Sequence, residues 1–156
     1  MIRVTIAALV LAVAGTAPAS AEPRPAHGGF GGGSYLGLTG AEWGPIGVAD
    51  YYPGGGFGRF GLRGELRGYE GLEHGHAVAG VVYEAAAARP RLLISLHAGV
   101  GLSWTEVRPL VAGGIETQLW VLGPLSLVSG TDLVLRIDGI DTALAISGTL
   151  QLRLAW

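Results

Sequence analysis

The chain has 156 residues, a length that suits a single domain. Charged residues make up 14% of the sequence, against roughly 25% in soluble proteins, and the mean hydropathy is +0.45. The net charge of −2 offers no basic surface for nucleic acid, and the absence of cysteine excludes disulfides, thiolate metal sites and a lipidated cysteine.

The first residues contain the three parts of a secretory signal peptide. Arg3 provides the positive start, the apolar stretch 4–14 is too short to span a membrane as a helix, and residues 19–21 (Ala-Ser-Ala) form a small-residue cleavage site. An uncleaved anchor helix is the alternative, but the length and flanks do not fit it. We therefore predict a signal peptide at 1–21 that is cleaved after the chain crosses the inner membrane.

The segment 22–33 is rich in proline and then in glycine, and it shows no periodicity. This composition predicts a flexible leader. His27 lies within it and is interpreted as a solvated linker residue rather than a metal ligand.

From residue 34 onward, turn signals such as Gly44-Pro45 and Gly123-Pro124 separate segments in which apolar and polar residues alternate. This pattern predicts an all-β domain over 34–156 with short loops. The eight predicted strands are 34–43, 46–52, 57–70, 75–85, 91–104, 110–122, 125–137 and 142–156. The Ala-rich stretch 84–88 is also compatible with one helical turn, although it is too short to be a stable helix.

The last strand shows the alternation most clearly. Leu150, Leu152, Leu154 and Trp156 lie on one face, and the opposite face is small and polar. About 9 to 11 residues of tilted strand are enough to cross a bilayer, and apolar-out, polar-in alternation is what an outer-membrane barrel requires. The pattern predicts an eight-stranded, antiparallel, up-and-down transmembrane β-barrel.

Charged side chains share the face that this fold turns inward, and eight strands leave a lumen that side chains can fill. Because buried charges must be paired, they predict a network that plugs the barrel; a small ion or solute path is the alternative. The predicted lumen network is Arg59, Arg63, Glu65, Arg67, Glu84, Arg91, His97, Glu116, Asp132, Arg136 and Arg153.

A hairpin around the 105–109 loop would place His97 opposite Glu116, with Ser95 on the same face. A nucleophile, a base and a carboxylate within reach are the components of a hydrolase, so a lipid-modifying barrel hydrolase is one alternative function. No local motif supports it, and we expect a structural contact between His97 and Glu116.

His74 and His76 stand beside Glu73, and two imidazoles on one strand face are a possible Zn²⁺ or Cu²⁺ pair. A closed metal site needs more ligands than these. The sequence therefore predicts a solvated loop here, with no metal and no cofactor.

The signal peptide, the alternating strands and the C-terminal run Leu150 to Trp156 resemble the small eight-stranded outer-membrane barrels, of the OmpA membrane domain and OmpX type. The resemblance covers 34–156. It implies that Leu150, Leu152, Leu154 and Trp156 are a recognition signal for the barrel-assembly machinery. The chain departs from the family in ending on Trp rather than Phe and in its short outward loops, which argue against adhesion or receptor roles.

These observations predict a non-enzymatic integral outer-membrane barrel of a Gram-negative bacterium, with a structural or interaction role. Its expected partners are outer-membrane lipid and the assembly machinery, not nucleic acid. A soluble, periplasmic, lipocalin-like barrel that binds an apolar ligand is the alternative. That protein would reverse the two faces, with leucine inward and arginine outward.

Overall fold

A computed structural model describes residues 25–38, 43–57, 59–69, 73–89, 92–104, 107–138 and 141–156. The chain forms a closed barrel of eight antiparallel strands, in which sequence neighbours pair and β1 also pairs with β8. The strands are β1 (His27–Gly37), β2 (Trp43–Tyr52), β3 (Phe60–Tyr69), β4 (His74–Arg89), β5 (Leu92–Ser103), β6 (Pro109–Leu122), β7 (Leu125–Asp138) and β8 (Asp141–Ala155). The predicted eight-stranded up-and-down barrel is confirmed.

The first strand differs most from its prediction. β1 spans His27–Gly37 rather than 34–43, so residues 27–33 of the predicted leader lie in the barrel wall. Its glycines serve close packing rather than flexibility: a Cβ at Gly31 would fall on the carbonyl oxygen of Leu152 and on the side chain of Arg153. The predicted signal peptide at 1–21 lies outside the described residues.

The Ala-rich stretch 84–88 belongs to β4, so the alternative of a helical turn is wrong. The β4–β5 ladder shifts register between Glu84 and Ala86 and again between Ala87 and Arg89. These are β-bulge positions, where β4 has an extra residue relative to β5 and both strands stay in the sheet. β4 therefore extends four residues beyond the predicted end at residue 85.

The start of β1 and the end of β8 lie at the same end of the barrel, because the number of strands is even. We call this end the terminal rim; β2, β4 and β6 also end there, and it includes a short 3-10 turn at Gly55–Phe57. We call the opposite end, where β1, β3, β5 and β7 end, the far rim. No helix in the described part of the chain is long and apolar enough to cross a membrane.

The barrel is apolar outside and charged inside. Leu62 is 60% exposed and Val100 is 66% exposed on the outer wall, whereas Arg67 and Glu116 are each 1% exposed in the lumen. Every Asp, Glu or Arg of the strands whose side chain the structure describes is on the inward side. Two small apolar clusters complete the interior: Tyr35, Ile46 and Val48, and Leu110, Ala112 and Val134.

Candidate functional site in the barrel lumen

Glu116 of β6 is the centre of the lumen. Arg63 of β3 donates to both of its oxygens, with Nη1–Oε2 at 2.8 Å and Nη2–Oε1 at 2.6 Å. Arg153 of β8 donates to Oε1 from Nη2 at 2.7 Å, and Gln151 lies at 3.4 Å from the same oxygen. Bidentate, charge-assisted hydrogen bonds of this kind are the strong ones, so three strands are joined across the lumen at one carboxylate.

Asp50 of β2 extends the network toward the terminal rim. Its Oδ2 accepts from Arg153 Nη1 at 2.9 Å and lies 3.7 Å from Arg63 Nη1. The sequence analysis missed Asp50 because its inward neighbours on β2 are Ile46, Val48 and Tyr52, which make that face look apolar. The β2–β3 register pairs Asp50 with Arg63, and this pairing of opposite charges is what indicates that Asp50 belongs to the network.

Glu65 and Arg67 of β3 extend the network toward the far rim. Glu65 accepts from Arg67 Nε at 2.6 Å and from Arg63 Nη2 at 3.3 Å. Arg67 also donates to Ser147 Oγ at 2.7 Å and forms a short ion pair with Asp132. Because β3, β7 and β8 are not all sheet neighbours, these bonds brace the barrel across its interior.

Tyr69, His76 and Arg136 form a separate cluster at the far rim. Arg136 Nη2 donates to the Tyr69 hydroxyl at 2.9 Å and its guanidinium stacks 5.1 Å from the ring centre, while His76 Nδ1 contacts the same hydroxyl. A cavity of about 190 Å³ opens beside them, and Arg67 and Ser147 are part of its lining. His76 is buried and His74 is exposed, so the two imidazoles of the possible metal pair occupy different environments.

Glu84 and Arg59 lie near the terminal rim, apart from the ion pairs around Glu116. Glu84 contacts His27, with Oε1–Nε2 at 3.1 Å, and the His27 ring stacks on Tyr52 with centroids 4.6 Å apart. Arg59 donates to the carbonyl oxygen of Ala85 at 3.2 Å. His27, predicted to be a solvated linker residue, is therefore part of the wall and closes this end of the lumen.

Arg91, the remaining member of the predicted lumen network, lies outside the described residues. Nine of the other ten members are distributed over the three regions just described, and the tenth, His97, lies beside Asp132. The sequence therefore identified the face on which they lie, but not which of them bind one another.

The predicted pairing of His97 with Glu116 is wrong. In the β5–β6 ladder, Ser95 pairs with Glu116 and His97 pairs with Gly114, so the hairpin closes earlier than predicted. Its turn contains Val107 in a left-handed conformation (φ 46°), which is uncommon for a β-branched residue and not expected from the sequence. The carboxylate of Glu116 binds arginines, and the three side chains of the hydrolase alternative do not assemble into a Ser–His–Glu relay.

His97 instead approaches Asp132 of β7. Its Nε2 lies 3.0 Å from Asp132 Oδ1. One potential ligand atom each from Glu65, His97 and Asp132 lie within 4.8 Å of one another, and all three residues are buried. Imidazole and carboxylate groups are the side chains that bind metal ions such as Zn²⁺, and these three converge in the described part of the lumen.

Comparisons with known proteins support the fold alone. No protein-family model matches the chain, and no curated protein matches it. A solved structure described as "De novo design of transmembrane beta-barrels" matches with a TM-score of 0.55 and 13% sequence identity, covering 87% of this chain and 98% of that chain. The chain is thus similar in fold to a designed transmembrane β-barrel.

Proposed function

We propose that this chain is a non-enzymatic integral outer-membrane β-barrel of a Gram-negative bacterium, related in type to the small eight-stranded barrels, with a structural or interaction role and a lumen plugged by side chains. The observation that carries the proposal is the separation of charge and apolar surface. Arginine, aspartate and glutamate fill the interior, while leucine, valine and isoleucine cover the outer wall.

Such a wall suits lipid better than water. A soluble protein rarely exposes apolar patches of more than a few hundred square ångströms, because they drive aggregation. Closure of β1 onto β8 removes the sheet edges, whose unpaired backbone groups would each cost several kcal/mol in hydrocarbon. Exposed tryptophans lie at both rims, Trp43 and Trp104 at the far rim and Trp156 at the terminal rim, as an interfacial belt requires.

The soluble lipocalin-like alternative requires the opposite arrangement. An apolar ligand needs an apolar cavity, whereas the middle of this lumen contains arginine–carboxylate pairs. The hydrolase alternative lacks an assembled Ser95–His97–Glu116 relay. Both features favour a non-enzymatic membrane barrel.

The position of the C-terminal strand agrees with a role in assembly. Leu150, Leu152, Leu154 and Trp156 are all exposed on the outer wall, and β8 pairs with both β7 and β1. The start of β1 and the end of β8 share one rim, as expected for a chain that enters the outer membrane from the periplasm. We propose outer-membrane lipid and the barrel-assembly machinery as its partners.

Membrane fractionation tests the location. The protein should stay with outer membranes after urea and carbonate washing, and it should migrate faster on gels when it is not heated, as folded barrels do. Release as a soluble monomer with a β-rich spectrum would contradict the proposal and favour the soluble barrel.

Deletion of Trp156 tests the assembly signal. We expect the shortened chain to reach the outer membrane at a reduced level and to be degraded in the periplasm. Trp104→Ala is the matched control, because it removes an exposed tryptophan from the opposite rim without changing the C-terminus. Equal outer-membrane levels of the two variants would argue against recognition of the last strand.

A further inference from the structure

Polar atoms of His97 and Asp132 are buried where the described lumen offers them few partners. Nδ1 of His97 has no hydrogen-bond partner among the described residues, and Nε2 of His97 and Oδ1 of Asp132 lie 3.0 Å apart, within ion-pair distance. The two side chains are 4% and 0% exposed. Because a buried polar group without its full set of partners is destabilising, the convergence of these atoms in one place favours a bound ligand.

Gly114 creates the space in which these side chains meet. In the sheet it stands between them, paired with His97 on one side and with Asp132 on the other. A Cβ at Gly114 would fall on Asp132 Oδ1. The absence of a side chain on β6 therefore lets groups from β5 and β7 converge over a common point.

Glu65 approaches the same point from β3. Its oxygens accept from Arg67 Nε and Arg63 Nη2, but a carboxylate has about four lone-pair positions, so acceptor capacity remains. Arg67 also holds the other oxygen of Asp132. Arg67 thus fixes both carboxylates from behind, as outer-shell hydrogen bonds do in metal sites.

We propose that His97, Asp132 and Glu65 bind a divalent transition-metal ion inside the lumen. One imidazole and two carboxylates are a ligand set that suits Zn²⁺ and related ions. Metal–ligand distances of about 2.0–2.2 Å allow one ion to touch two atoms that lie 3.0 Å apart. Ser147, which pairs with Asp132 in the sheet, lines the far-rim cavity, so that cavity comes within one ladder position of the proposed ligands.

The test uses the untagged mature chain, folded in detergent, stripped with chelator and then exposed to Zn²⁺. Metal content after gel filtration should be about one Zn²⁺ per chain, the stoichiometry of a mononuclear site. Binding should fall at least tenfold in His97→Gln and in Gly114→Ala, which places a methyl group against Asp132. His76→Gln is the matched control, since it changes another buried histidine of the lumen and should keep the ion.

Spectroscopy of the wild-type protein keeps the proposal testable if the variants do not fold. Co²⁺ in the site should give visible d–d absorption that Zn²⁺ abolishes, and X-ray absorption should show nitrogen and oxygen ligands with one imidazole. Failure of the wild-type chain to retain Zn²⁺, retention of the ion by folded His97→Gln, or a Co²⁺ spectrum equal to that of the hydrated ion would each overturn the proposal. Because the experiment is done in detergent, its result is independent of where the barrel lies in the cell.

Discussion

Leu152 and Arg153 are neighbours on β8, yet the constraints on their side chains differ. Leu152 is 56% exposed on the outer wall, where any apolar side chain fits. Arg153 is 4% exposed in the lumen, where it donates to Gln151, Asp50 and Glu116. The wall is therefore tolerant of which apolar residue it carries, whereas the lumen depends on which specific side chains meet.

This difference follows from the cost of burying charge. In the lumen, a guanidinium has left water and must recover the lost solvation from specific carboxylates, so removal of one partner leaves the other without compensation. On the wall, one apolar side chain can replace another, because no specific partner has to be met. The side of the sheet on which a residue lies should therefore decide the effect of a substitution more than its distance from the barrel centre does.

The largest effect is expected at the centre of the lumen. Glu116→Ala removes the carboxylate that binds Arg63 and Arg153 and should cost about 3–5 kcal/mol, the range for breaking a buried ion pair. The free energy of unfolding in lipid vesicles, from urea titration followed by tryptophan fluorescence, measures it. Glu73→Ala, at an exposed acidic residue of the far rim, should change it by less than about 0.5 kcal/mol. Equal values for the two variants would show that the lumen pairs are not stabilising.

A charge on the wall should have the next largest effect. Leu133 is exposed near the middle of β7, and Leu133→Arg should cost about 2–4 kcal/mol if this position faces the bilayer midplane. The same titration in vesicles measures the cost. Leu133→Met supplies the control, since it keeps the position apolar. A charge that is tolerated as well as methionine would mean that the wall does not face lipid.

Substitutions at two glycines compare the lumen with the wall without changing any charge. Gly31→Ala places a methyl group against the Leu152 carbonyl and the Arg153 side chain, and should cost about 1–3 kcal/mol through overpacking. Gly47→Ala, on the outer wall of β2, meets nothing within 4 Å and should be neutral or slightly stabilising. Thermal midpoints from unheated gel mobility would rank the two, and the reverse order would contradict the assigned faces.

The smallest effect is expected for one apolar residue exchanged for another on the wall. Leu66→Ile keeps the volume and the exposed apolar surface and should change the free energy of unfolding by less than about 1.5 kcal/mol. A parallel titration of wild type and variant would detect it. A loss as large as that of Leu133→Arg would show that the wall packs against a specific partner rather than against lipid.

The sequence predicts the wall well because the wall is a local property. Alternation with a period of two residues depends only on the strand itself, and it identified the segments that become β3 and β5 to β8 within a few residues. β1 escaped detection because its glycines have no side chains to alternate. Packing against β2 and β8 makes it a strand, and that is a tertiary effect.

The lumen pairings were not predictable in the same way. The partner of His97 depends on the register of the β5–β6 hairpin. A difference of two residues in that register replaces the predicted partner, Glu116, by Gly114. Asp50 was missed because its face of β2 is otherwise apolar. Contacts such as Arg63–Glu116 and Arg153–Asp50 join residues far apart in sequence through the curvature of the whole barrel.

The pairing of β1 with β8 has a consequence for the order of folding. Gly29 pairs with Ala155, so the last ladder to close joins residues separated by almost the entire strand region. Contacts of such long sequence separation slow folding, since the entropy of closing the loop is lost before the contact is gained. Before β8 has paired with β1, β1 has only β2 as a neighbour, and the glycine-rich strand remains an open edge. Pairing of β8 with β1, rather than formation of any hairpin, is therefore the step that completes the barrel.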